Sequence, residues 1–131
     1  MQNLNRVTMI GQLTADPETK KIPSGQDLST FGLATNYSWK DDSGEWQNGV
    51  DYHRVVSWKK LAQKVGKSLK KGEKVFVEGK LRTRSWVTDD GTKSFRTEIV
   101  ASEILPMSSK TGKDRAAELE KATEDQEKEK E

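Results

Sequence analysis

Apolar residues in this chain lie in short segments that turn-forming residues separate, and in one segment they recur at alternate positions. Phe31, Leu33 and Tyr37 show this spacing, and it is typical of a strand that buries one of its faces. Residues that favour turns lie between the segments, at Asp16-Pro17, Pro23-Ser24-Gly25, Asp41-Asp42-Ser43-Gly44 and Asp89-Asp90-Gly91. The pattern therefore predicts a protein made mainly of β-strands.

One segment has a different period. Leu61, Val65 and Leu69 recur every four residues and are surrounded by lysines, which predicts one short amphipathic helix. We expect Gly72 to end this helix in the left-handed conformation that glycine tolerates.

The order of the elements predicts an all-β fold with one short helix, arranged as a five-stranded OB-type barrel. Three strands precede the helix and a two-stranded hairpin follows it; the predicted strands are residues 6–13, 28–37, 51–58, 75–87 and 93–105. Residues 38–49 are polar and are expected to form a loop that carries Trp39 and Trp46. Phe31 and Phe76 lie among strand aliphatics and are expected in the core.

Length and composition limit the other possibilities. A chain of 131 residues suits one folded domain, which we place at residues 1–107, with Pro106 ending the barrel. Charged residues make up 34% of the chain, and no apolar run is long enough to cross a membrane. The first residues lack the pattern of a secretory signal. Without cysteine and with one histidine, disulfides, thiol nucleophiles and metal sites built of imidazoles are excluded.

Residues 108–131 are predicted to be a disordered, charged and net acidic tail. Residues 110–131 contain six Lys or Arg and eight Asp or Glu, and Leu119 is the only large apolar side chain after residue 107. So little apolar surface cannot offset the entropy that is lost when a chain folds.

Two strand segments are expected to carry aromatic and arginine side chains on a shared face. Alternation groups Tyr52, Arg54, Val56 and Trp58 in one segment, and Arg82, Arg84 and Trp86 in the other. A core face would not accept three guanidinium groups, because an unpaired buried charge is costly. These faces are therefore expected to point outward.

Such a surface suits single-stranded nucleic acid. Unstacked bases can lie on flat aromatic rings, and neighbouring arginines and lysines neutralise phosphates. Every base has a π face and a duplex hides it, so binding should tolerate any sequence and favour single strands. The aromatics predicted to contact bases are Trp39, Tyr52, Trp58 and Trp86. Tyr37, Trp46 and Phe95 could serve either as base contacts or as packing residues.

Enzyme readings find little support. Asp51, His53 and Ser57 lie on one strand without the sharp turn that exposes a catalytic serine, and the glycines form no phosphate-binding loop. The acidic pairs run into hairpin turns and lack the ligand spacing of a calcium loop. We expect no catalytic residues, no metal and no cofactor, and a structural role for His53.

The same residues resemble the bacterial-type single-stranded DNA-binding proteins (SSB). The resemblance covers residues 5–105 and rests on the order of several short motifs. They include Ile10-Gly11-Gln12-Leu13, Leu33-Ala34-Thr35-Asn36, Tyr52-His53-Arg54-Val55-Val56, Val77-Glu78-Gly79-Lys80-Leu81-Arg82-Thr83-Arg84 and Thr97-Glu98-Ile99-Val100-Ala101.

The resemblance implies an OB-fold homotetramer that wraps single-stranded DNA in replication, recombination and repair. The family's stacking positions correspond to Trp39, Tyr52, Trp58 and Trp86, and His53 to a position at the subunit interface. Its backbone-contacting basic residues correspond to Arg6, Lys40, Arg54, Lys60, Lys71, Arg82 and Arg84.

The last residues differ from the usual family pattern. Many relatives end in an acidic tip with a Pro-Phe pair that docks replication and repair proteins, whereas this sequence ends in alternating Glu and Lys. Replication and repair proteins stay possible partners on the resemblance, although the tip that usually docks them is absent from this sequence. The expected location is the bacterial cytoplasm, at the nucleoid; a mature protein of the mitochondrial matrix is the alternative.

Three other functions stay open on the sequence. They are an OB-fold accessory protein of replication restart, an RNA-binding OB module, and, least favoured, a metal-dependent nuclease.

Overall fold

The computed structural model describes residues 2–107, which form six strands and one helix. In chain order the elements are β1 (Val7–Leu13), β2 (Glu18–Lys21), β3 (Asp27–Lys40), β4 (Trp46–Trp58), α1 (Lys59–Ser68), β5 (Lys74–Val87) and β6 (Lys93–Met107). The predicted tail, residues 108–131, lies outside the described residues, and both its disorder and the domain boundary stay predictions.

The strands close into a barrel. They are hydrogen-bonded in the order β1-β5-β6-β4-β3-β2, and β1 also pairs with β3, through Gln12 with Ala34 and Leu13 with Leu33. Neighbours are antiparallel except β4 and β6, which are parallel and share two residue pairs. The predicted five-stranded barrel is confirmed, and β2 is an addition to it.

β2 extends the first strand past an interruption. It pairs with residues 27–30 of β3, while β1 pairs with residues 33–34 of the same strand. Between them Thr14 donates its backbone N–H to the Gly32 carbonyl at 3.0 Å, and its hydroxyl fills the space where a Cβ on Gly32 would lie. The register against β3 shifts by two residues between Leu13–Leu33 and Glu18–Thr30, so the residues between β1 and β2, which include Pro17, bulge out of the ladder.

Aliphatic side chains fill the barrel and α1 covers one end of it. Leu33, Val55, Val75 and Val77 are fully buried, and Val65 and Leu69 of the predicted helical stripe join the same cluster. Phe31 is in the core as predicted. The prediction for Phe76 was wrong, because its neighbours Val75 and Val77 point inward and Phe76 is half-buried on the other face.

The structure corrects three predicted boundaries. Residues 38–49 are not a loop, because β3 and β4 stay paired as far as Lys40 with Trp46. α1 ends at Ser68, and Gly72, although its φ is +88°, belongs to the following turn and donates its N–H to the Leu13 carbonyl. β6 runs through Pro106 to Met107. Within residues 2–107, no helix combines the length and the apolarity that a membrane span needs.

Strand β4 runs directly into α1 through a strained residue. Trp58 is extended, and Lys59 has a φ of +59°, the only positive φ of a non-glycine residue in the described chain. This conformation lets the chain turn from strand to helix without a loop, at a cost for a side chain that carries a Cβ.

We expect Lys59→Gly to stabilise the protein by about 0.5–1 kcal/mol, because glycine adopts this conformation without steric cost. Lys64→Gly is the matched control: it lies inside the same helix on an exposed position and should destabilise by about 1 kcal/mol. Urea unfolding of both variants measures the effect, and equal destabilisation by the two would contradict the strain.

Candidate nucleic-acid interface

Side chains of β4 and β5 meet in one concavity beside the barrel, which we call the groove. Its volume is about 660 Å³. Its lining includes Arg54, Val56 and Trp58 of β4, Arg82 and Arg84 of β5, and Glu98 and Val100 of β6. The two faces that alternation groups in the sequence therefore form one surface.

Aromatic and arginine side chains are neighbours on this surface. The Arg84 guanidinium carbon lies 5.4 Å from the centre of the Trp86 ring, in a cation–π arrangement. Trp58 and Trp86 both keep more than a third of their surface exposed. Each ring therefore has surface available to another flat group.

A second, shallower concavity adjoins the groove. Tyr52, Arg54 and Arg96 line it, and Arg54, Glu18 and Thr30 belong to both concavities. Tyr52 is 74% exposed. Together the two concavities form a path along the outer face of β4 from Trp58 to Tyr52, with cationic side chains beside it.

Two carboxylates line the groove, Glu18 and Glu98, and Glu98 pairs with two of these arginines. Glu98 is only 8% exposed; its Oε2 is 2.7 Å from Arg54 Nε and its Oε1 is 3.3 Å from Arg84 Nε. Arg82 lies opposite Glu98 in the register of β5 and β6. The groove is therefore basic, and Glu98 neutralises part of the positive charge of its arginines.

The β3–β4 hairpin continues beyond the barrel and carries two tryptophans. Trp39 pairs with Gln47, and Trp46 pairs with Lys40. Alternation along β4 places Trp46 on the face of Tyr52, whereas Trp39 lies on the opposite face with Tyr37. The structure therefore separates Trp39 from Tyr52, and Trp46, 68% exposed, shares the face of Tyr52.

Comparison with known proteins decides the family. Residues 4–107 match the single-strand binding protein family. The chain belongs to that family. The match confirms the resemblance seen in the sequence, and it covers nearly all of the described residues.

Individual SSB relatives agree with this. The chain is 44% identical over 112 residues to single-stranded DNA-binding protein 1 of Chlorobaculum tepidum, covering 83% of this chain and 68% of that protein. It is 40% identical over 111 residues to the protein of the same name from Xylella fastidiosa, covering 84% and 82%. Its fold matches the Plasmodium falciparum SSB in complex with ssDNA, with a TM-score of 0.78, 32% identity, and coverage of 82% of this chain and 98% of that one.

The basic residues that the SSB resemblance alone suggested lie around the barrel and not in the groove. Arg6 pairs with Glu78, with 2.5 Å between Nη2 and Oε1. Lys40 ends β3, Lys60 lies in the first turn of α1 beside Trp58, and Lys71 lies in the turn after the helix. All four side chains are exposed, and none of them lines the groove.

His53 lies on the face of β4 opposite Tyr52, as alternation predicts. It is half-buried, and its Nε2 is 2.9 Å from the Thr35 hydroxyl oxygen. Its place at a subunit interface stays a prediction. Within residues 2–107, His, Asp and Glu form no cluster of three that could hold a metal ion.

Sequence reasoning missed Arg96 and the role of Glu98. Arg96 lies opposite Arg84 in the register and lines the second concavity with Tyr52. The signal was present in the sequence, because Ser94, Arg96 and Glu98 alternate on the returning strand as Arg82, Arg84 and Trp86 do on β5. Without the pairing register, these two sets could not be placed on one face.

Asp41 holds the turn that ends the β3–β4 hairpin. Its Oδ1 accepts hydrogen bonds from the Ser43 hydroxyl at 2.7 Å and from the Ser43 and Glu45 backbone N–H groups, and its Oδ2 accepts one from Gln47 Nε2 at 2.9 Å. These bonds, the Ser43 hydroxyl first, lower the pKa of Asp41 from 3.8 to about 2. The lowered pKa means that the ionised carboxylate stabilises the turn above about pH 4 and that this stabilisation is lost as the pH falls through 2.

Ser43→Ala should raise the pKa of Asp41 toward its ordinary value, because it removes the largest of these contributions. A carboxyl ¹³C NMR titration measures it. Ser38→Ala is the control, since Ser38 bonds to Asn48 in the same hairpin and not to Asp41. A midpoint near 4 in the unmodified protein would contradict the proposed bonding.

Proposed function

We propose that this protein binds single-stranded DNA without regard to base sequence and protects it during replication, recombination and repair. The observation that carries the proposal is the groove, where Arg54, Arg82 and Arg84 share one surface with Trp58 and lie beside Trp86. Membership of the SSB family supports it. So do the names of the relatives and the DNA in the complex of the Plasmodium falciparum SSB.

Bases stack on the exposed rings in this proposal. Trp58 lines the groove, Tyr52 lines the second concavity, and Trp86 lies against Arg84 of the groove. Each stacked base contributes about 1–3 kcal/mol. Trp39 lies on the other face of the β3–β4 hairpin and takes a base only from a strand that has passed round the hairpin. A duplex cannot stack in this way, because its bases are already paired and stacked.

Phosphates are contacted by the basic side chains. Arg54, Arg82, Arg84 and Arg96 act inside the two concavities. The exposed residues Arg6, Lys40, Lys60 and Lys71 contact the backbone where a longer strand continues around the barrel. Neutralised phosphates release condensed cations, so affinity falls as salt is added.

In this function the protein binds DNA and is not an enzyme. It assembles as a homotetramer, with His53 near a subunit interface. Several large apolar side chains outside the groove support assembly, because they are exposed in the single chain; they include Leu4, Ile10, Val50 and Leu105. Location at the bacterial nucleoid stays a prediction.

Trp86→Ala should weaken binding of oligo-dT about tenfold, the equivalent of one lost base stack. Phe95→Ala is the matched control: it lies on the same hairpin opposite Ser85, on the other face, and is 64% exposed. Tryptophan fluorescence titration measures both affinities, and circular dichroism checks the fold.

Equal losses in the two variants would contradict the assignment of the DNA to the groove face. Duplex DNA or oligo-U binding the unmodified protein as tightly as oligo-dT would contradict the proposed function itself. The oligonucleotide should be recovered intact after incubation with magnesium, whereas its cleavage would favour a nuclease.

Arg82→Ala should make binding less salt-dependent. The slope of log K against log salt concentration should shrink by about 0.7, the value for one phosphate contact on a single strand, because Arg82 forms no ion pair within the described residues. Lys67→Ala, an exposed position in the last turn of α1, should leave the slope unchanged. A slope that stays the same in Arg82→Ala would remove Arg82 from the interface.

A further inference from the structure

An acidic side chain in a phosphate-binding groove needs an explanation, because a carboxylate repels phosphates. Glu98 is also more buried than any other charged residue in the described chain, at 8% exposure. Its neighbours in sequence include Ile99, which points into the core, so Glu98 itself points to the outer, groove side of β6. The protein therefore places a negative charge at the centre of its basic surface.

The carboxylate binds two arginines at once, through the inner part of each guanidinium. Its oxygens lie 2.7 Å from Arg54 Nε and 3.3 Å from Arg84 Nε. An arginine held through Nε still has terminal N–H groups that can bind another acceptor. Both arginine side chains also stay well exposed, at 39% and 56%. Glu98 can therefore remain in place while a phosphate binds the outer ends.

Stability alone is a weak reason for this arrangement. Removing charges from water costs as much as, or more than, a buried ion pair returns, and apolar replacements are often equally stable. The arrangement does, however, change how the groove attracts phosphate. Two guanidinium groups and one carboxylate present a net charge of about one unit rather than two.

We propose that Glu98 is a resident counterion of the groove: it positions Arg54 and Arg84 and limits the salt dependence of DNA binding. In the free protein it occupies the place that anions from solution would otherwise take. It stays bound to both arginines in the complex, so that the pair neutralises about one phosphate. The inference rests on the proposed function and adds a residue that sets the affinity for DNA and its dependence on salt.

Glu98→Gln tests the proposal because it keeps the shape of the side chain and removes its charge. The slope of log K against log salt concentration for oligo-dT should become steeper by about 0.7, the contribution of one further phosphate. Binding at low salt should become several-fold tighter. A purely structural residue would behave differently, since its loss would weaken binding at every salt concentration and leave the slope unchanged.

Two further variants distinguish an effect of the Glu98–arginine contacts from an effect of the net charge of the whole protein. Glu103→Gln removes the same charge from an exposed position of β6 that lines neither concavity, and it should leave the slope as it is. Glu98→Gln combined with Arg84→Ala should return the slope to that of the unmodified protein. An unchanged slope in Glu98→Gln, or an equal change in Glu103→Gln, would overturn the proposal.

If Glu98→Gln does not fold, hydrogen exchange of Arg54 in the unmodified protein tests the proposal instead. In the unmodified protein, NMR should show the Arg54 Nε–H protected from exchange with water, both free and with oligo-dT bound, because Glu98 accepts its hydrogen bond. Rapid exchange in either state would overturn the proposal. If the unmodified protein does not bind oligo-dT at all, the proposed function fails, and that result is distinct from a failure concerning Glu98.

Discussion

The parallel pairing of β4 with β6 is the contact on which the binding surface depends. It consists of two residue pairs, Val55 with Ile99 and Val56 with Val100, and both Val55 and Ile99 are buried in the core. Because the strands run in the same direction, the residues just before these pairs, Arg54 and Glu98, become neighbours. β5 pairs with β6, so Arg82 and Arg84 lie beside Glu98 and Arg96. An apolar contact inside the barrel thus assembles the charged groups outside it.

Much of the fold follows from local pattern. The alternation of Phe31 and Leu33 predicted a strand with one buried face, and both side chains are buried; the spacing of Leu61, Val65 and Leu69 predicted the helix. The errors in strand boundaries fall where no apolar pattern exists. β2 is four exposed residues, Glu18–Lys21, and both strands of the hairpin beyond the barrel are polar, so hydrogen bonds hold them in place without a buried face. Phe76 was misplaced because aliphatic neighbours in sequence do not show which of two alternating faces a ring occupies.

The functional surface could be predicted only in part, for a related reason. Alternation within one strand grouped Tyr52 with Arg54 and Arg82 with Arg84, and this held in the structure. Which strands lie side by side is information that the pattern does not contain. Arg54 and Glu98 are 44 residues apart, so nothing local in the sequence joins them. Arg96 was missed for the same reason, since it enters the surface only through its pairing with β5.

The β3–β4 hairpin projects beyond the barrel by five residue pairs, from Asn36 with Val50 to Lys40 with Trp46, a reach of about 16 Å at the usual rise per residue. Among residues 2–107, the core cluster includes no residue of this arm, and Tyr37 lies across the backbone of Gly49 in place of a side-chain neighbour. Its side chains are exposed or half-buried, so we expect its hydrogen bonds to open at a lower free-energy cost than those of the barrel. A ligand that orders this arm would therefore lose part of its binding free energy to the conformational entropy of the arm.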